Sequence, residues 1–110
     1  MRIHLIKKKT IEKFIADNAQ SRTPLKLWLA VLKIADWEEP GDILKSFGSA
    51  DLLGKGSSRV VFNIGGNNYR MICKYWFGKM KAHLYIKWLG THAKYDALCR
   101  DNKQFSAENY

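Results

Sequence analysis

Midway along the chain the spacing of apolar residues changes, and that change limits the folds open to it. From Thr10 to Phe47 apolar side chains recur every three or four residues, the period of one helix face. From Arg59 to Leu89 they alternate or run on, and Val60, Val61, Phe62, Ile64, Ile72 and Ile86 favour strands. Helices followed by strands read as an α+β chain: N-terminal helices packed on one face of a small antiparallel sheet. At 110 residues and 46% hydrophobic, the chain has material for one packed core. We expect a single domain over residues 1–100 and a polar, frayed tail over 101–110.

The punctuation is local. Arg2–Ile6 reads as a short strand, and Thr10, Ile11, Phe14 and Ile15 open a helix that the polar stretch Asn18–Arg22 ends. Thr23 is a candidate cap, with Pro24 at the first helical position and Leu25, Trp28, Val31, Leu32 and Ala35 on the apolar face. Asp36 to Pro40 closes that helix, and Asp42 starts a short third one through Phe47. Gly48 to Ser58 reads as a loop. Strands follow at Arg59–Ile64, Tyr69–Phe77 and His83–Leu89, the first two joined by Gly65-Gly66-Asn67-Asn68, residues that tolerate positive φ. Thr91 caps a last helical turn from His92 to Cys99.

Charge is uneven. The chain carries a net charge of +9. Between Asp51 and Asp96 there is no acid, while Lys55, Arg59, Arg70, Lys74, Lys79, Lys81, Lys87 and Lys94 all lie there with Tyr69, Tyr75, Tyr85, Tyr95, Trp76 and Trp88. Cations mixed with aromatics suit a surface that neutralises phosphates and stacks bases. The plainer reading is a solvated basic face. Apolar runs fall far short of the roughly 18 residues that span a bilayer, and no secretory h-region is present, so we expect a cytoplasmic protein with no membrane partner. Cys73 and Cys99 stand in no metal-type spacing, so neither a metal site nor a cofactor is expected.

Alternation along the strands sorts the cations. With a hairpin loop of four residues, Arg59 lies opposite Lys74 and Asn63 opposite Arg70, all on one face. Like charges directly opposite destabilise a sheet, a penalty that makes sense where an anion binds. Lys87 shares a face with His83 and Tyr85. In Gly90-Thr91-His92-Ala93-Lys94-Tyr95-Asp96, a helical turn projects His92, Tyr95 and Asp96 from one side. Histidine exchanges protons near neutral pH, and tyrosine donates hydrogen bonds or stacks on bases. RNA carries its own nucleophile, the 2′-hydroxyl, so cleaving it needs a proton acceptor, a proton donor and cations for the phosphate. Alternatively, His92 and Tyr95 only cap and pack the sheet's end.

Two strings, Arg59-Val60-Val61-Phe62-Asn63-Ile64-Gly65-Gly66-Asn67-Asn68-Tyr69-Arg70 and Gly90 to Asp96, together resemble the HigB family of toxins of type II toxin–antitoxin systems. Pro24-Leu25 with Trp28, Ala35-Asp36-Trp37, Pro40 with Asp42, and Ser49-Ala50-Asp51 extend the resemblance over about residues 2–98. The resemblance implies a RelE-like fold and an mRNA interferase, an endoribonuclease that cuts messages, commonly on the ribosome. It implies a HigA antitoxin with a helix-turn-helix domain, through which the complex binds operator DNA. The expected catalytic residues are Arg70, His92 and Tyr95. The expected RNA contacts are Arg59, Asn63, Asn67, Lys74, Lys87 and Lys94. A non-catalytic RNA-binding module on the same basic face is the alternative, and a domain docking an acidic protein is a third.

Overall fold

The computed structural model describes residues 1–109. In chain order the elements are β1 (Arg2–Ile6), α1 (Lys9–Asp17), a 3-10 turn (Ala19–Ser21), α2 (Arg22–Ile34), α3 (Gly41–Ser46), β2 (Asp51–Leu53), β3 (Arg59–Ile64), β4 (Tyr69–Phe77), β5 (Lys81–Thr91) and α4 (His92–Arg100). The strands form one five-stranded sheet in the order β1-β5-β4-β3-β2. The α+β class is as expected, but the sheet is mixed: β1 runs parallel to β5, and the other pairs are antiparallel. Part of the expected Gly48–Ser58 loop is β2, whose apolar Leu52 and Leu53 pair with Val60 and Arg59.

Helices α1 to α3 cover one face of the sheet. Leu25, Trp28 and Leu32 project from α2 at helical spacing and meet Val60, Phe62 and Ile64 of β3 and Met71 and Cys73 of β4. Aromatic edges lock this layer: Phe47 and Trp28 lie 4.9 and 5.2 Å from Phe62, centroid to centroid. Such pairs add roughly 0.5–1.5 kcal/mol beyond the area they bury. The start of α2 differs from expectation. It begins at Arg22, with Ser21 at the cap and no side chain capping it. In α3, Pro40 holds the cap position, and the Asp42 carboxylate instead accepts from the backbone N–H groups of Glu38 and Glu39.

The opposite face is only partly open. A smaller cluster of Val61, Ile72 and Trp88 lies there under Leu53, Tyr95, Leu98 and Ala107, so α4 and the tail cover its middle. The tail therefore does not fray through Asn109. Arg59 donates to the Gln104 and Ala107 carbonyls, and the Asn109 side chain bonds both N–H and C=O of Leu89. Tyr110 lies outside the described residues. Among them, no helix is long and apolar enough to cross a membrane.

Candidate active site

The β3–β4 hairpin has the register that puts the cations on one face. Ile64 pairs with Tyr69 around a four-residue loop, Arg59 lies opposite Lys74, and Asn63 lies opposite Arg70. Gly65 and Gly66 have φ of +64° and +65°, so the loop uses the glycines for left-handed backbone. Asn67 has another task. Its side-chain carbonyl accepts from Arg70 Nη2 at 3.2 Å, while Arg70 Nη1 donates to the carbonyls of Gly66 and Tyr69. Arg70 is buried against the loop it holds. Of its five N–H donors, Nε–H and one on Nη2 have no partner among the described residues. Those two can donate to an anion.

The same loop anchors α4. The backbone N–H of His92 donates to the Asn68 carbonyl at 3.1 Å, and the Thr91 hydroxyl caps the helix by accepting from Lys94 N–H. Arg70 pairs across the sheet with Gly90, two residues before His92. Thus Arg70 and His92 sit at one end of the sheet, both tied to residues 66–68. One turn along α4, Asp96 Oδ2 lies 3.2 Å from His92 Nε2. A carboxylate there favours a proton on Nε2 and leaves the lone pair of a neutral imidazole on Nδ1. That Nδ1 is enclosed and has no hydrogen-bond partner among the described residues. Tyr95 leans on Trp88, ring centroids 6.2 Å apart. Burial pushes its phenol well above the ordinary range, a hydrogen bond with Cys99 adds to this, and the nearby Arg70 guanidinium opposes it. The Tyr95 phenol is therefore neutral at physiological pH.

The other candidates separate. Arg59 is buried, and its guanidinium donates to the Gln104 and Ala107 carbonyls of the tail. Burial also lowers its pKa. Asn63 is exposed and donates to the Ser49 carbonyl at 3.4 Å. Lys94 is exposed on the first turn of α4. Lys74 and Lys87 lie toward the other end of the open face, around a hollow of about 340 Å³ with Ser58, Tyr75, Trp76 and Tyr85. Lys87 Nζ is 2.9 Å from Glu108 and 5.8 Å from the Tyr85 ring centre. A larger hollow of about 560 Å³ between β1 and α2 has a mostly aliphatic lining that also includes Lys8, Lys26 and Lys33, and it holds none of the candidate residues. Among the described residues, no three His, Cys, Asp or Glu side chains gather as a metal site requires.

A family model described as HigB toxin, the RelE-like toxic component of a toxin–antitoxin system, matches residues 21–98. The chain belongs to this HigB toxin family. The match runs from the threshold of α2 into α4 and so contains Arg70, His92 and Tyr95. The "mRNA interferase HigB" of Escherichia coli O6:H1 is 27% identical over 105 residues, covering 93% of this chain and 100% of that protein. As a toxin component the protein has an antitoxin partner.

Several groups in this HigB-family toxin were not singled out from sequence. Spacing alone groups Asp96 with His92, and the structure makes it the imidazole's partner. Trp76 is 60% exposed and stacks on His83, with centroids 5.1 Å apart and planes 19° apart. Its position in the alternation, on the face of Arg70 and Lys74, was the available signal. Glu108 and Asn109 lay in a segment with no periodicity to mark it.

Proposed function

We propose that this toxin is an mRNA interferase that cuts messages on the ribosome, using the RNA 2′-hydroxyl as nucleophile and no metal. The observation that carries this reading is the shared anchoring of Arg70 and His92 on one hairpin loop, with Asp96 on the imidazole and a neutral Tyr95 phenol beside them. The two unpartnered Arg70 N–H groups face the scissile phosphate as a bidentate donor and stabilise its growing charge. His92 takes the 2′-hydroxyl proton at Nε2, where the substrate hydroxyl replaces the Asp96 carboxylate as that nitrogen's partner. The 2′-oxygen bonds to phosphorus, the bond from phosphorus to the 5′-oxygen breaks, and Tyr95 donates a proton to that leaving oxygen. The products are a 2′,3′-cyclic phosphate and a 5′-hydroxyl. Asn67 positions Arg70. Lys94 and the cations of the open face steer the message.

The antitoxin in this reading is a HigA-type helix-turn-helix protein, and operator DNA is reached only through the complex. The test is cleavage of a message by the purified chain, in EDTA without ribosomes and in magnesium buffer with translating ribosomes. Wild type should cut, with ribosomes accelerating it. His92→Ala should cut about 10²–10⁴-fold more slowly, the usual contribution of a proton-transfer group. RNA bound but left intact by wild type would instead mark a non-catalytic binding module. Loss of activity in EDTA that added divalent metal restores would refute the metal-free step.

A further inference from the structure

Away from Arg70 and His92, beyond the ridge made by α4 and the tail, the open face carries a second chemically coherent patch. Along β4 and β5, Trp76 lies opposite His83 and Lys74 opposite Tyr85. Trp76 is the exposed tryptophan of the chain; Trp28, Trp37 and Trp88 are buried. Its indole lies nearly parallel to the His83 imidazole, and His83 is braced from behind. The His4 ring meets it edge-on at 5.3 Å, with the two Nδ1 atoms 3.1 Å apart. Gly78 lies close on another side, where an added Cβ would come within 3.4 Å of His83 Nε2. One face of Trp76 is thus pinned and the ring remains largely exposed. The adjoining hollow is lined by Lys74, Tyr85 and Lys87 and contains no acid.

We propose that this patch is a binding track for single-stranded RNA, in which a base stacks on Trp76 and the neighbouring phosphates meet Lys74 and Lys87. The inference rests on the reading above for the identity of the polymer and adds where the strand lies away from the cut. A flat, pre-oriented π surface accepts any base, and the flanking ammonium groups supply the charge that a nucleic-acid backbone requires. Arg70 and Trp76 are six residues apart on β4, which sets them about 20 Å apart along the strand. The track therefore grips nucleotides that flank the scissile bond rather than the bond itself. Glu108 holds Lys87 when RNA is absent, and the phosphate takes its place.

The experiment titrates the full chain with a 2′-O-methylated single-stranded oligonucleotide, which lacks the nucleophile, and reads tryptophan fluorescence. Binding should quench the emission. Trp76→Phe should keep the affinity and lose most of the quenching. Trp76→Ala should bind about tenfold more weakly, as expected for one lost base stack. Lys74→Ala should flatten the salt dependence by about one phosphate contact. In cleavage assays Trp76→Ala should raise KM and leave kcat unchanged, and circular dichroism should show it folded, since the ring is exposed. Binding by Trp76→Ala within twofold of wild type would overturn the track, as would equal affinity for duplex RNA, which cannot offer a base face. Trp76→Ala that binds RNA normally but loses the antitoxin would assign the patch to that protein instead. If the chain cuts RNA while Trp76 proves indifferent, only the track fails. If Trp76 is quenched by RNA but no message is ever cut, the track stands and the catalytic reading fails.

Discussion

Replacing Gly90 by alanine should destabilise the toxin, although backbone considerations alone point the other way. Gly90 lies in β5, directly across from Arg70, and it is not among the glycines with positive φ. A Gly→Ala change at such a position normally stabilises by about 0.4–1 kcal/mol, because the unfolded chain loses freedom. Here an added Cβ would stand 2.5 Å from Trp88 Cη2 and 2.7 Å from Cζ2. Carbon atoms rest at about 3.5–4.0 Å, so the indole must withdraw by roughly 1 Å. It has little room to do so, being wedged among Val61, Ile72, Tyr95, Leu98 and Ala107. Overpacking of that kind costs about 1–3 kcal/mol. Subtracting the backbone gain leaves a net loss of up to about 2.6 kcal/mol, and about 1.3 kcal/mol at the midpoints of the two ranges. For a chain of this size that lowers Tm by roughly 4–10 °C, measurable by calorimetry. Cleavage should fall as well, because the displaced indole pushes on Tyr95. In a double-mutant cycle, Trp88→Leu should absorb most of the Gly90→Ala penalty. A Gly90→Ala protein that melts at or above the wild-type temperature would refute the close seating of Trp88 on Gly90, and with it the account of how Tyr95 is held.

Further expectations concern the tail, its pH dependence and the thiols. Arg59→Ala removes the donor shared by the Gln104 and Ala107 carbonyls; we expect a loss of about 1–3 kcal/mol and faster hydrogen exchange over residues 104–109, with cleavage chemistry retained. Lys87 holds the Glu108 carboxyl below its ordinary value of 4.5. A carboxylate with a depressed folded pKa contributes its stabilisation in full above the unfolded value and loses it as pH falls through the folded one. The tail should therefore loosen as pH drops below about 4.5, seen as faster proteolysis at its end, and Glu108→Gln should abolish that pH dependence. Cys73 is fully buried and its thiol is pushed far up by desolvation, whereas Cys99 is partly exposed. A thiol reagent should label Cys99 promptly and Cys73 only on unfolding. Prompt labelling of both would contradict the packing of β4 against α2.

Short-range chemistry made most of the frame legible in the sequence. The change from helical spacing to alternation placed α1 to α3 ahead of the strands, the Gly-Gly-Asn-Asn loop set the β3–β4 register, and Thr91 caps α4 as its position indicated. What could not be read depends on partners distant along the chain. Arg59 looks like any strand cation until the tail folds back 45 and 48 residues later and takes its guanidinium. The parallel pairing of β1 with β5 joins segments some eighty residues apart, and β1 alone carries no signal of its partner. The residues expected to act on RNA thus split into a loop-anchored corner and a distant patch, although their alternation along β4 is uniform.

A single irregularity in β5 explains how the corner was assembled. Strict alternation from Ala82, Leu84 and Ile86 would carry Trp88 and Gly90 into the helix-covered core and leave Leu89 on the open face. The register slips instead: Cys73 pairs with Ile86, but Ile72 pairs with Trp88, so Lys87 is the extra residue of a β-bulge. Parity reverses there. Leu89 enters the large core, while Trp88 turns outward to join Val61 and Ile72. Gly90 then lies opposite Arg70 with no side chain of its own, and the Trp88 ring occupies the space above it. The bulge also changes the strand's edge, where the tail docks through Asn109 on Leu89 and Lys87. One inserted residue thereby seats Tyr95 against an indole, fills the space across from Arg70 with that ring and provides the tail's mooring. Deleting Lys87 would close the bulge with Trp88 still outward and Leu89 still in the large core, so the fold should survive, but it removes both the carbonyl that accepts from Asn109 and the ammonium on Glu108, so the tail should loosen more than in Lys87→Ala, which removes only the charge.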